Sequence, residues 1–215
     1  MQILVCSCDK NEDTFYPFHH CMEKYWPNHP EVIYSTESVI NPYYKTVAKN
    51  YPINQWTKRI RETLEGLQDH VLLMVDDVFI RKPVNIFRVR EADNLLCDSI
   101  ASLNFEKAFD PTDFVAEGWG KRMPNAPWTV SIMCGLWDRD KLMDVLSEDM
   151  NPWDVEARQP TKGYDYLINT GDYIIDWGYR SFRYFGLHGG KWCWEIVPFF
   201  LEEGIDIDFN KRGLI

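Results

Sequence analysis

Residues 70–83 read His-Val-Leu-Leu-Met-Val-Asp-Asp-Val-Phe-Ile-Arg-Lys-Pro. Val71 to Val75 is an unbroken apolar run of strand length. A run without polar alternation suits a strand covered on both faces, as in an α/β sheet. It stops at two adjacent carboxylates, Asp76 and Asp77, after which Val78, Phe79 and Ile80 resume the apolar character. Desolvating an unpaired carboxylate costs several kcal/mol, so such acids are seldom buried without a partner. Two side by side also repel, which demands positive charge against them. Open α/β sheets bind ligands at the carboxyl ends of their strands, and a divalent metal ion would satisfy both acids there. The plainer alternative has one aspartate capping a turn and the other paired with Arg81 or Lys82.

Toward the amino end, Trp56 to Leu67 places Ile60, Leu64 and Leu67 on one helical face, with Lys58, Arg59, Arg61, Glu62 and Glu65 mostly elsewhere. Residues 41–54, rich in Tyr, Pro and Asn, read as a loop of the kind that carries function. Val32 to Tyr34 is a short strand, and Ile3 to Cys6 a first strand that empties into Ser7-Cys8-Asp9-Lys10-Asn11-Glu12-Asp13. Asp9, Asn11 and Asp13 alternate as in a calcium loop. Thr14 stands where that loop needs glycine and His20 where its closing glutamate belongs, so it is not one. Asp13 is expected to cap a helix from Phe15 to near Lys24, and Asp9 to sit at a strand end where a nucleotide lies. His19 and His20, consecutive on that helix, do not converge on one ion.

Toward the carboxyl end, the pattern predicts a short helix over 84–88 and a strand from Leu95 to Leu103. An irregular lid or acceptor loop over 105–128 follows, then a strand from Trp128 to Trp137 broken by Gly135. Asp138-Arg139-Asp140 is a second acid-x-acid spacing, best read as a helix cap. Asp206 and Asp208 alternate with Ile205, Ile207 and Phe209, the pattern of a half-exposed strand. Strand–helix–strand alternation makes the expected fold α/β: one domain over 1–215, a Rossmann-type mixed, mostly parallel sheet flanked by helices.

Composition narrows the function. At 215 residues the chain fits one domain with a sizeable core, and no linker or repeat divides it. A net charge of −10 without a basic cluster weighs against a sequence-independent nucleic-acid binder. The opening apolar stretch is short for a secretory signal and nothing reaches the length of a membrane span, so a cytoplasmic protein is expected. None of the six cysteines has the close spacing of structural zinc ligands; they read as reduced. The nine tryptophans exceed what a core needs, and some suit platforms for flat or sugar-like ligands.

Two later segments carry further chemistry. Asn151-Pro152-Trp153-Asp154-Val155-Glu156 opens a helix with acids in its first turn. Tyr184-Phe185-Gly186-Leu187-His188-Gly189-Gly190-Lys191-Trp192 gathers, within four residues, a metal-ligating imidazole, two glycines whose N–H groups can approach an anion, and a point charge. A plain turn is the alternative for that segment.

Trp56-Thr57-Lys58-Arg59, Leu72-Leu73-Met74-Val75-Asp76-Asp77, Asn151 to Glu156 and His188-Gly189-Gly190-Lys191-Trp192, in that order, resemble nucleotide-sugar glycosyltransferases of the GT-A fold, particularly small bacterial and phage enzymes. Asp76-Asp77 matches their DxD strand. The last segment looks like a shortened His-x-x-Gly-x-x-Lys-Pro-Trp motif of glycogenin-like transferases, with tighter spacing and no proline before Trp192. The resemblance implies a donor that is a nucleotide-diphosphate sugar, a UDP-sugar foremost, and a Mn2+ or Mg2+ ion on its diphosphate. It assigns the metal to Asp77, Asp76 and His188, and the diphosphate to Gly189, Gly190 and Lys191, with Arg59 as a second cation. Asp9 is the candidate for base or ribose. Imidazole beside carboxylates favours manganese.

Glu156 is the candidate general base; if the reaction inverts the sugar centre, a carboxylate must take the acceptor hydroxyl proton. Its alternative is a first-turn acid satisfying the helix dipole. Trp153 and Trp119 are candidates for stacking on sugar rings. The acceptor is a hydroxyl group on a glycan, lipid-linked sugar or similar molecule. Competing readings are a phage enzyme glycosylating a modified DNA base, a sugar nucleotidyltransferase, and a non-catalytic carbohydrate-binding module. A nucleotidyltransferase would open with a Gly-rich basic loop, whereas Ser7 to Asp13 is acidic and lacks glycine.

Overall fold

The computed structural model describes all residues except 98, 108–112, 125 and 179–185. Its strands are β1 (Gln2–Cys6), β2 (Val32–Thr36), β3 (Lys45–Ala48), β4 (His70–Val75), β5 (Ile100–Lys107), β6 (Asp113–Ala116), β7 (Trp119–Lys121), β8 (Cys134–Asp138), β9 (Asp165–Asn169), β10 (Leu187–His188) and β11 (Lys191–Trp192). The helices are α1 (Phe15–Tyr25), α2 (Trp56–Leu64), α3 (Ile86–Leu95), α4 (Arg139–Val145), α5 (Pro152–Arg158) and α6 (Ile196–Glu203).

The first nine strands form one sheet in the order β3-β2-β1-β4-β8-β5-β9-β7-β6. All of them except β7 and β8 run in one direction, giving the mixed, mostly parallel sheet expected. β1 and β4 are interior neighbours, paired in register from Gln2 opposite Val71 to Cys6 opposite Val75. Val71 to Met74 are buried, as an apolar run without alternation requires.

Helices cover both faces. On one side α1 contributes Phe15, Phe18 and Met22, α3 Val89 and Ala92, and α6 Ile196, Phe199 and Phe200. On the other, α2 contributes Trp56, Ile60 and Leu64, α4 Leu142 and Val145, and α5 Val155. No helix among the described residues is long and apolar enough to cross a membrane.

Several local expectations change. The 41–54 loop contains β3, an edge strand whose side chains are exposed or half-exposed. Asp13 does not cap α1; Thr14 holds that position, without a side-chain cap bond, because the Asp13 carboxylate is taken by Arg212. The helix after Pro83 starts and ends later, and the following strand begins at Ile100. Within 105–128, the described part holds β6 and β7, while 108–112 and 125 lie outside the described residues. Only Cys134 onward of the 128–137 stretch pairs as a strand. The Asp206/Asp208 segment is not a strand: Asp208 caps a 3-10 turn at Phe209–Lys211. Asp138 caps α4 as expected, accepting from the Lys141 N–H at 3.0 Å.

Candidate functional site

From β1 the chain proceeds to β2 and β3 on one side, then returns to lay β4 on the other. The carboxyl ends of β1 and β4 therefore flank a topological switch point, where open α/β sheets form their binding crevice. Asp76 and Asp77 follow β4 there, facing the 3-10 turn Asp9–Thr14 that follows β1.

The two acids have different surroundings. Asp76 is 1 % exposed. Its Oδ2 accepts from Ser7 Oγ at 2.5 Å and Thr14 Oγ1 at 3.0 Å, and its Oδ1 from Asn11 Nδ2 at 2.9 Å. Hydroxyls and an amide thus provide the partners that burial demands. Burial, then the neighbouring Asp77 charge, pushes the Asp76 carboxyl up to about 7 against these three bonds. Asp77 keeps partial solvent access, so it is the member of the pair open to a ligand. Burial pushes its carboxyl up to about 6, opposed by its own backbone N–H and by the Arg212 guanidinium. Lys82 pairs with Asp176 at 2.8 Å, away from the aspartates.

The segment carrying His188 is laid directly on this strand end. Gly186 bridges Val78, and the Leu187 N–H donates to the Asp77 carbonyl at 3.0 Å. A Cβ on Gly186 would lie 1.6 Å from that carbonyl oxygen, so only glycine permits the approach. β10 and β11 then form a hairpin with His188 opposite Lys191. Its two-residue turn is Gly189-Gly190, at φ of 58° and 78°. Both positions need positive φ, which accounts for both glycines. His188, Gly189, Gly190 and Lys191 are all exposed.

The other candidates sit around this centre. Asp9 accepts from Ser38 N at 2.9 Å, Ser38 Oγ at 2.5 Å and Val39 N at 2.9 Å. Burial raises its carboxyl, but these bonds hold it below the usual range. Arg59, 2 % exposed, is on the buried face of α2 beneath the β1 loop. Its Nη2 donates to the Ser7 carbonyl at 2.7 Å and its Nη1 meets Glu37 Oε1 at 2.6 Å. On α5, Glu156 Oε1 accepts from Ile132 N at 3.1 Å and Ser131 Oγ at 3.3 Å. Burial lifts its carboxyl above the ordinary value, against these two bonds. Cys134 pairs with Met74, so residues 131–133 run past the aspartate end of β4. Trp153 is 70 % exposed, whereas Trp119 is fully buried under the Arg88 guanidinium and is a packing residue.

Ser7, Asn11, Thr14 and Arg212 were missed as site residues. Ser7, Asn11 and Thr14 lie in the acidic loop after β1, where small polar side chains were the available signal. Arg212 arrives because the terminal segment doubles back along β11: Trp192 N donates to Gly213 O at 3.1 Å and Ile215 N to Trp192 O at 2.9 Å.

Among the described residues no three His, Cys, Asp or Glu side chains converge as a ready metal cluster. Asp76 already accepts three bonds, leaving Asp77 as the carboxylate with solvent access and the exposed His188 of the hairpin as the remaining candidate ligand. This set suits an ion that takes most of its ligands from substrate phosphates and water, the usual mode for Mg2+. Two clefts open elsewhere, one lined by Arg81, Lys82, Asp176 and Glu203, the other by Arg88, Glu91, Phe114 and Asp172. Neither includes the aspartate pair; the switch point and its hydrogen bonds locate the site better than cleft shape does.

No family model matches the chain, and no curated protein matches it. Among solved structures it is similar to the bifunctional IspDF from Campylobacter jejuni, with 10% identity, a TM-score of 0.47, and coverage of 80% of this chain and 50% of that one. The chain thus spans half the length of that protein. It is similar to 2-C-methyl-D-erythritol 4-phosphate cytidylyltransferase from Thermus thermophilus, with 10% identity, a TM-score of 0.48, and coverage of 84% and 93%. It is also similar to the galactosyltransferase LgtC solved with donor and acceptor sugar analogs, with 12% identity, a TM-score of 0.43, and coverage of 78% and 67%.

Proposed function

We propose that the chain is a glycosyltransferase that takes its sugar from a nucleotide-diphosphate donor bound at the carboxyl ends of β1 and β4. The observation that carries this reading is the seating of the His188–Lys191 hairpin on Asp77, at the topological switch point, by the Gly186 contact and the Leu187 hydrogen bond. The contact joins segments about a hundred residues apart in sequence, which supports a reading in which a carboxylate, an imidazole and an ammonium serve one donor site.

In this reading Asp77 and His188 hold a divalent ion, Mn2+ or Mg2+, with Asp76 fixing the geometry of the strand end. The ion, when bound, neutralises charge that develops on the leaving diphosphate. Lys191 and the N–H groups of Gly189 and Gly190 bind diphosphate oxygens from the hairpin tip. Asp9 and Glu37 shape the floor of the nucleotide site by ordering residues 37–39, and Arg59 braces that floor from below. Glu156 removes the acceptor hydroxyl proton in an inverting transfer; in a retaining one it binds sugar hydroxyls. The sugar nucleotidyltransferase alternative is disfavoured by the same loop. Instead of a glycine-rich basic cradle after β1, the chain folds a 3-10 turn whose polar side chains close on Asp76.

Calorimetric titration with UDP, GDP and CDP, each with Mn2+ and with EDTA, tests the reading. Binding of one nucleotide with Mn2+ but not with EDTA is expected. Absence of manganese-dependent binding for all three would remove the donor site; metal-independent binding of a free glycan would favour a carbohydrate-binding module.

A further inference from the structure

The guanidinium of Arg212 joins three segments that surround the aspartate pair. Its Nε donates to Asp13 Oδ2 at 2.7 Å and Oδ1 at 3.0 Å, and its Nη2 bonds Asp13 Oδ1 and the Lys10 carbonyl. Nη2 also reaches Asn11 Oδ1 at 3.3 Å, and Nη1 meets the Gly190 carbonyl at 3.5 Å. The Arg212 and Asp13 side chains are only 11 % and 13 % exposed, so this is no solvated surface pair. Such a set of planar, diverging acceptors matches the fixed donor fork of arginine; lysine has one donor centre and cannot span it.

The contact to Asn11 has a directional consequence. A guanidinium only donates, so the Asn11 oxygen must face Arg212. The Asn11 amide group is thereby turned to Asp76, whose Oδ1 it meets at 2.9 Å. The flipped amide would set an NH2 against the cation and an oxygen against the carboxylate, two repulsions in place of two bonds. Hydrogen bonding thus runs from Arg212 through Asn11 to Asp76, while the same guanidinium touches the tip of the hairpin that carries His188 and Lys191.

We propose that Arg212 is a positioning residue for the donor site: it fixes Asn11 on Asp76 and ties the Gly189-Gly190 turn to the loop after β1. The role in donor binding rests on the glycosyltransferase reading; the Arg212–Asn11 coupling does not. Two measurements on the full chain separate them. The first follows solvent exchange of the Asn11 side-chain amide by NMR in the wild type, Arg212→Lys and Arg212→Ala. Exchange is expected to accelerate at least about tenfold in both variants, with Asp76→Asn as a reference for loss of the acceptor charge. Unchanged exchange in folded Arg212→Ala overturns the proposal. The second is a double-mutant cycle of Arg212→Ala and Asn11→Ala on manganese-dependent nucleotide affinity. Each single change is expected to weaken binding about tenfold or more, and the pair little further than Arg212→Ala, because loss of Arg212 already releases Asn11 from Asp76. Additive losses, or full affinity in Arg212→Ala, overturn the positioning role. If the wild type binds no nucleotide while the exchange result holds, the donor-site reading and the proposed role in it fail, and the Arg212–Asn11 coupling alone stands.

Discussion

The aspartate pair divides its work by burial. Asp76 satisfies two hydroxyls and an amide inside the fold, whereas Asp77 keeps partial solvent access. Asp76→Ala strands those three donors and is expected to lower stability by about 3 kcal/mol, measured by urea unfolding. Asp77→Ala is expected to stay within about 0.5 kcal/mol of the wild type, as for a part-exposed side chain, yet to abolish manganese-dependent nucleotide binding. Equal stability loss in both, with binding kept in Asp77→Ala, would refute the division. The pair itself was legible because two acids at the end of an apolar run violate the burial rule in plain view. Which of them is buried depends on the β1 loop folding over Asp76, a contact between residues far apart in sequence. Arg212 and Asp13 were illegible for the same reason. Arg59 also departs from expectation: it was read off the apolar face of its helix, yet it is buried beside Trp56, Ile60 and Thr63, where the Ser7 carbonyl and Glu37 take up its charge.

At the scale of elements, α5 and the 130–132 segment behave as one unit. Asn151 Oδ1 caps α5 by accepting from the Asp154 N–H at 2.8 Å, and Gln159 closes it in the left-handed region at φ 50°. Gln159 Oε1 accepts from Val130 N at 2.7 Å, while Glu156 holds Ile132 and Ser131. Glu156→Gln keeps an oxygen for both of those donors, so the unit is expected to remain folded while the base is lost. Burial raises the carboxyl, so the deprotonated form that the proposed base requires accumulates at higher pH than for an ordinary carboxylate. The transfer rate of the wild type is therefore expected to climb with pH through that raised value. In Glu156→Gln the rate should fall about a hundredfold or more and lose this limb. A full rate with the limb intact would assign the proton transfer to another group. The helix was readable from Asn151-Pro152 and the acids of its first turn. β3 was not, because a four-residue edge strand without buried side chains leaves no hydrophobic period. Asp206 and Asp208 misled for the converse reason: alternation arose from a cap and its apolar neighbours, with no partner strand to pair.

Across the whole molecule, the site is held by the packing of the terminal segment against one face of the sheet. Trp192 is fully buried, with Phe200 at 5.6 Å, Phe209 at 6.0 Å and Phe79 at 6.1 Å between ring centroids. Its backbone pairs with both Leu187 and the 213–215 segment, so one ring anchors the hairpin and Arg212 together. The mostly parallel sheet and its flanking helices followed from the pattern of alternation, but the strand order and this closure did not, since they depend on which segments and rings meet in space. Trp192→Ala opens a large cavity and is expected to cost about 4 kcal/mol in urea unfolding. Trp192→Phe is expected to cost less than about 2 kcal/mol, because the Trp192 Nε1 is buried without a hydrogen-bond partner among the described residues and phenylalanine removes that unmet donor. If anchoring is the function of the ring, nucleotide affinity should follow the same ranking, nearly retained in Trp192→Phe and lost in Trp192→Ala under conditions where both are folded. Affinity unchanged in Trp192→Ala would mean that the hairpin holds its place on Asp77 through Gly186 and Leu187 alone, and that the aromatic cluster stabilises the fold without positioning the site.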